Sequence, residues 1–367
     1  MTAPASGKRQ RSPGEKAIRL IVLAIAALLL FAPFLFQDIR SLEVAARLCV
    51  FIVLVASYDL LIGYTGIVSF AHTMFFGFGA YGVAIALRQW GAGWDAVIGG
   101  SLAGVVVSLA VAVVIGLLSL RVKAIFFAMI TLAAASVVLV LASQLSGLTG
   151  GEDGITFRTP ALFKTATKLL VDENNKVVQL FGVKLNGKLA AYYFVFLSCL
   201  VLFILMLRLV GSPLGTVLKS IRENEARAEA IGYRVVAYRT FVFCAAAVVA
   251  SLAGSIYAIW LKYTGPDTTL SFAIMIDILL MVVIGGMGTL WGAAIGAVLL
   301  VTAQYYLRDL MGVAAEATAN LPLIPDILDP DRWLFWLGII FILLVYFFPA
   351  GIAGSIMRPR APRRACE

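Results

Sequence analysis

Charge is scarce in this chain. Only 13% of its 367 residues are Asp, Glu, Lys or Arg, against about 25% in an average soluble domain. Histidine occurs once, at His72. No cluster of His, Asp and Glu is available for chemistry, which speaks against a membrane-embedded enzyme. The four cysteines, Cys49, Cys199, Cys244 and Cys366, have neither metal nor disulfide spacing. Three sit inside apolar runs, as small buried hydrophobes do. No cofactor is expected. Also missing is the alternation of apolar and polar residues that marks outer-membrane strands.

What the chain has is apolar surface. Apolar residues make up 62% of it and the mean hydropathy is +0.98. A soluble protein could not cover so much apolar surface with polar groups. The runs are unbroken, as in Ile18–Phe36, and each crossing needs about 20 helical residues. The expected fold is therefore an all-α polytopic membrane protein. Spans fall near 18–36, 44–62, 71–88, 96–119, 124–144, 190–208, 240–260, 273–287, 291–307 and 332–348, about ten in all. The third and eighth are short and glycine-rich. The first run is longer than a signal h-region and no small-x-small cleavage site follows, so it reads as a retained span.

Lys and Arg set the orientation. If the N-terminus is cytoplasmic, the basic residues from Lys8 to Arg19, Arg121, Lys123, those from Arg208 to Arg239, and those from Arg358 to Arg364 share one side. The positive-inside rule then places both termini in the cytoplasm. The net charge of +9 is mostly this topology signal and needs no nucleic-acid partner. The organisation is a basic N-terminus (1–17), a permease-like membrane domain (18–354) and a basic tail (355–367). The membrane domain contains a polar external segment, 146–189, whose Asn174-Asn175 centre reads as a small hairpin. It also contains a charged cytoplasmic segment, 211–239, that is helical by composition.

Three motifs have a familiar letter pattern, and two of them stand in the wrong context. Gly77, Gly79 and Gly82 match a dinucleotide-binding fingerprint, but inside an apolar segment rather than a βαβ unit. Residues 182–189 nearly match a phosphate-binding loop, yet Leu189 stands where Mg²⁺ needs a hydroxyl. Gly288, Gly292 and Gly296 form overlapping G-x-x-x-G steps, read as close helix packing. The ionisable and polar residues inside spans are Arg47, Asp59, His72, Gln144 and Asp277. Such groups face a protein interior or a water path, or reach to water from a helix end. His72 with Asp277 would be a sparse proton relay, the basis of a competing reading as a stand-alone secondary transporter.

Four segments together carry a resemblance. They are Gly63–His72 leading into Phe75–Tyr81, then Leu148–Ile155, Ile221–Gly232 and Gly285–Gly292. In this order they resemble the permease subunit of branched-chain amino acid ABC importers, the LivM-like family that also includes urea and amide permeases. The resemblance covers roughly 40–354. Ser69-Phe70-Ala71 departs from the family's Ser-Leu-Gly, and Glu225 stands seven residues before Gly232 where the family spaces them by six. The external stretch 160–189 is longer than usual.

The resemblance implies a bacterial inner-membrane subunit of an amino-acid importer, with urea, amide and aromatic-acid import as alternatives. It implies a second permease as partner, two cytoplasmic ATPases and a periplasmic binding protein, with membrane lipid around them. The helix carrying Arg222, Glu223, Asn224, Glu225 and Glu229, closed by Gly232, would then couple to the ATPase. Gly63-x-x-Gly66 and Gly285-x-x-Gly288 each open a short interrupted stretch, one in each half. Such breaks point to a midplane site, or else these glycines only pack helices. On the first reading Gly63, Gly66, Ser69, His72, Thr73, Gly285 and Gly286 line or border the translocation path.

Overall fold

The computed structural model describes residues 13–357, apart from 37, 120–123, 165–166, 168–178, 181–182, 185 and 318–328. Residues 1–12 and 358–367 of the basic tails and the Asn174-Asn175 turn therefore lie outside the described residues. The helices are α1 (Pro13–Leu35), α2 (Ile39–Ile62), α3 (His72–Gln89), α4 (Trp94–Ser119), α5 (Ala124–Gln144), α6 (Ser146–Thr149), α7 (Gly187–Gly211), α8 (Pro213–Glu223), α9 (Glu225–Ala230), α10 (Val235–Leu261), α11 (Pro266–Thr269), α12 (Phe272–Gly285), α13 (Leu290–Ala317), α14 (Trp333–Phe347) and α15 (Gly351–Met357). Among the described residues, sheet is confined to two-residue strands. Strand β1 (Ile155–Thr156) pairs antiparallel with β4 (Tyr263–Thr264), and β2 (Gln179–Leu180) with β3 (Val183–Lys184). The chain is an all-α polytopic membrane protein.

Among the described residues nine helical stretches are long and apolar enough to cross a membrane. The tenth expected span, 71–88, is α3, which is not among them. Its polar ends, His72-Thr73 and Arg88-Gln89, leave too short an apolar middle, and it is shielded by α4 and α10 instead of lipid. Its glycines make that burial possible. A methyl group at Gly79 would strike the Ser251 carbonyl of α10, and one at Gly82 would lie 2.5 Å from the Gly100 carbonyl of α4. The nucleotide-like spacing is thus a packing pattern. Gly292 and Gly296 of α13 seat against Gly285 and Met281 of α12 in the same way.

The outer helices carry the opposite signature. On α4, Ile98, Leu102 and Val106 are exposed, and α14 has no buried residue at all. These faces suit hydrocarbon. Helix α1 contains Pro33, which has no N–H to give the Leu29 carbonyl. Tyr192 of α7 supplies the missing donor, its hydroxyl donating to Leu29 O at 2.5 Å. An orphan carbonyl in a spanning helix costs several kcal/mol, so a tyrosine there satisfies the proline.

Helices α8 and α9 mark one end of the bundle and the β1–β4 ladder the other. The ladder end is built on Gly150, Gly151 and Gly154, all at positive φ. A Cβ at Gly154 would meet Thr264 O at 2.5 Å, so only glycine lets the two strands approach. Ala161, at this end, is exposed. In a cysteine-free background, Ala161→Cys is expected to react with an impermeant thiol reagent on intact spheroplasts. Labelling only after lysis would invert the topology.

Candidate functional site

The residues singled out from sequence meet at the α8 end. Helix α2 runs 24 residues before Gly63 ends it, so the first glycine break falls at the end of a full-length helix and not half-way across. The second break, after Gly285, closes α12 at the same end. Both turns therefore lie beside α8. Gly66 (φ 73°), Gly286 (φ 108°) and Gly288 (φ 87°) take conformations that other residues adopt at a cost. Thr65 holds the first turn by donating its hydroxyl to Leu61 O at 2.6 Å. Thr289 holds the second by donating to Gly286 O at 3.1 Å.

Two hydrogen bonds tie these turns to each other and to α8. The amide of Gly288 donates to Asp59 Oδ1 at 2.8 Å, joining the second turn to the last helical turn of α2. Arg222 of α8 donates from Nη1 to the Gly63 carbonyl. The side chain of Arg222 also passes over Gly66, and its guanidinium lies against Gly288. Asp59 is fully buried beneath this contact. A methyl group at Gly63 would strike both the Asp59 carboxylate and the Gly288 nitrogen. Lys219, one turn before Arg222, places its ammonium 5.3 Å from the Tyr64 ring. One face of α8 thus grips both glycine turns.

Amphipathicity explains how α8 reaches them. Pro213 starts it at the first helical position, where a missing N–H costs nothing. Gly215, Leu218 and Ile221 are its buried face. The segment expected as one helix breaks at Asn224, whose side chain accepts from Arg227 N at 2.9 Å and caps α9. Gly232 (φ 100°) closes α9, with Tyr233 N donating back to Ala228 O at 3.1 Å. Glu225 is not at the joint. It makes two bonds to Arg239 of α10, at 2.7 and 3.0 Å. Glu223, Arg227 and Glu229 are exposed on the outer side.

Ser69, His72 and Thr73 are buried behind the first turn. Ser69 accepts from Ala71 N at 3.3 Å as the chain enters α3. The Ser57 hydroxyl donates to Leu54 O at 2.7 Å, so His72 Nε2 must supply the proton in its 2.8 Å contact with Ser57 Oγ. Tyr58 packs edge-on against the imidazole with centroids 5.3 Å apart. His72 is a strut between α2 and α3. A His72→Gln variant keeps a donor for Ser57 and is expected to retain much of the uptake. His72→Leu leaves Ser57 without that donor and should lose most of it. Full uptake by the leucine variant, with normal affinity, would remove His72 from the machinery.

Asp59 and Ser57 join the candidate site through their hydrogen bonds, and the sequence did not single them out for it. The available signal was a carboxylate inside a span, four residues before a glycine break. Among the described residues no group of three or more His, Cys, Asp and Glu could hold a metal ion.

The profile of the branched-chain amino acid transport system permease component matches residues 41–348. The chain belongs to that family. By family it is a transport permease component. The permease is 28% identical over 299 residues to the high-affinity branched-chain amino acid transport system permease protein LivM of Salmonella typhimurium, covering 79% of this chain and 69% of the relative. It is 26% identical to the Escherichia coli K12 protein of the same name, with the same coverage. A probable branched-chain amino acid transport permease protein LivM of Methanocaldococcus jannaschii is 25% identical over 178 residues, 46% of this chain and 48% of that one. No solved structure matches the permease significantly.

Proposed function

We propose that this permease is the membrane-spanning subunit of an ABC importer in a bacterial inner membrane, carrying branched-chain or other small amino acids inward. The observation that supports this most is the joint: a single charged helix outside the spans holds two chain reversals, through Arg222 to Gly63 and against Gly288. A partner that moves α8 therefore moves both. That partner is an ATPase, one of two on the cytoplasmic side. It grips the surface of Arg222, Glu223, Asn224, Glu225, Glu229 and Gly232. Gly63, Gly66, Gly285 and Gly286 form the inner gate of the path, and Ser69, His72 and Thr73 border it. A second, similar permease completes the pore, and a periplasmic binding protein delivers the solute.

Co-purification with the ATPase subunits is the first check. A chain that imports alone would be a secondary transporter. The sharper check is Glu229→Lys, which reverses an exposed charge without touching the Glu225–Arg239 pair. It is expected to leave membrane insertion intact and to uncouple ATP hydrolysis from uptake. Unchanged uptake would remove α9 from the coupling surface.

A further inference from the structure

At the end away from α8, helices α2, α7, α10 and α13 leave a cavity of about 410 Å³, within the size range of small-molecule sites. Its wall brings together Glu43 and Arg47 of α2, Tyr257 and Trp260 of α10, and Tyr305 of α13, with Lys262 at the rim.

Arg47 and Glu43 are four apart on one helix, the spacing at which opposite charges usually pair. They do not. Arg47 is turned across to α13, where Nη1 donates to Tyr305 Oη at 2.7 Å. Its guanidinium stands 5.0 Å from the Phe51 ring and 5.4 Å from the Tyr305 ring. Its Nε is shut off from solvent and has no hydrogen-bond partner. Among the described residues, Glu43, Arg47, Lys188 and Lys262 form no ion pair within 4 Å.

An arginine within a spanning helix is costly and calls for a partner. Aromatic rings and one phenol hold this one in place, and the half-buried Asp277 carboxylate of α12 acts on its charge without forming an ion pair within 4 Å. Snorkelling to the membrane surface would point it away from the bundle. Here it is held across to α13 against an open cavity, with the exposed Glu43 carboxylate one helical turn away. This is a pair of opposite charges kept apart around a space of ligand size.

We infer that this cavity is an amino-acid subsite in the permease itself, Arg47 taking the α-carboxylate and Glu43 the α-ammonium of one zwitterion. The inference rests on the amino-acid reading above and adds the residues that recognise the substrate. A guanidinium fork matches a carboxylate in plane, and a bond made in a partly desolvated wall is stronger than one in water. The carboxylate and ammonium of an α-amino acid sit on one carbon, so a single molecule offers both charges to residues one helical turn apart in the same wall. Tyr257 and Trp260 give an aliphatic side chain an apolar wall. Urea and simple amides carry no carboxylate and would leave Arg47 unpaired.

The test uses the complete importer, purified with its ATPases and second permease in nanodiscs, without binding protein. Saturation-transfer NMR with L-leucine as probe is expected to show saturable binding. L-valine should displace it, while leucinamide and 4-methylpentanoate, each lacking one of the two charges, should not. Arg47→Gln should weaken binding at least tenfold and Arg47→Lys by less. Glu43→Gln changes an exposed side chain, so it should fold normally and weaken binding several-fold. Leucine binding that is absent, or equal in wild type, Arg47→Gln and Glu43→Gln, would overturn the inference, provided the same importer takes up leucine with its binding protein. An importer that takes up no leucine would overturn the amino-acid reading and this subsite with it.

Discussion

Gly63→Ala is expected to abolish uptake while the spans still insert and pack. The reason is steric and local. Gly63 has an ordinary helical φ of −81°, so alanine meets no backbone penalty there. Its methyl group would instead land on the Asp59 carboxylate and the Gly288 nitrogen. Gly288 belongs to the backbone of another element and cannot give way without parting the two turns. The 2.8 Å bond from Gly288 to Asp59 would then be lost, parting a half-buried donor from a buried carboxylate oxygen at about 1–3 kcal/mol. Gly91→Ala is the control. Gly91 has φ 92° and no atom within 4 Å of a built methyl group, so its cost is the left-handed strain alone, about 1–2 kcal/mol. Uptake assays on membranes with matched permease content should show near-normal transport for Gly91→Ala and none for Gly63→Ala. Comparable uptake in both would show that the closeness of the two turns does not matter.

The same contrast shows what could be read from the chain. Spans were legible because each depends on a local property, an apolar run of sufficient length. The exception, α3, was legible as a helix but not as an interior one, since its shielding comes from α4 and α10. Glycine breaks at 63–66 and 285–288 were visible as motifs, yet their place was not. They looked like midplane features because an interrupted hydrophobic stretch resembles a broken helix. In the fold they are the ends of α2 and α12, brought side by side. Asp59 and Gly288 are 229 positions apart, and no periodicity links them. Glu225 drew attention through its match to a motif, whereas the residue at the joint is Arg222, three positions earlier. A charged helix outside the spans gives equal local reason for any of its charges to matter. Only the tertiary contact distinguishes the one that reaches the two turns, Arg222, from those on the outer side alone.

Arg222→Ala should therefore be the clearest uncoupling variant. The side chain is the described contact from the α8–α9 helix pair to the Gly63 carbonyl, and it packs over Gly66 and against Gly288 as well. A hydrogen bond from a charged donor is worth about 1.5–3 kcal/mol, and each 1.4 kcal/mol is tenfold in an equilibrium. Removing it should lower the number of solute molecules imported per ATP by roughly tenfold or more, with hydrolysis continuing because no nucleotide contact has been altered. Arg222→Lys keeps the charge and loses the fork, so an intermediate ratio is expected. Asp59 supplies the second half of the experiment. Asp59→Asn keeps an acceptor for Gly288 and should be mild, while Asp59→Leu should resemble Arg222→Ala. Because both residues act on the same pair of turns, the Arg222→Ala/Asp59→Leu double variant should be little worse than either single one. Uptake and ATP hydrolysis measured together in proteoliposomes give the ratio directly. Strictly additive losses would mean that the two residues act at separate places, and an unchanged ratio in Arg222→Ala would mean that α8 drives the turns by some contact other than this arginine.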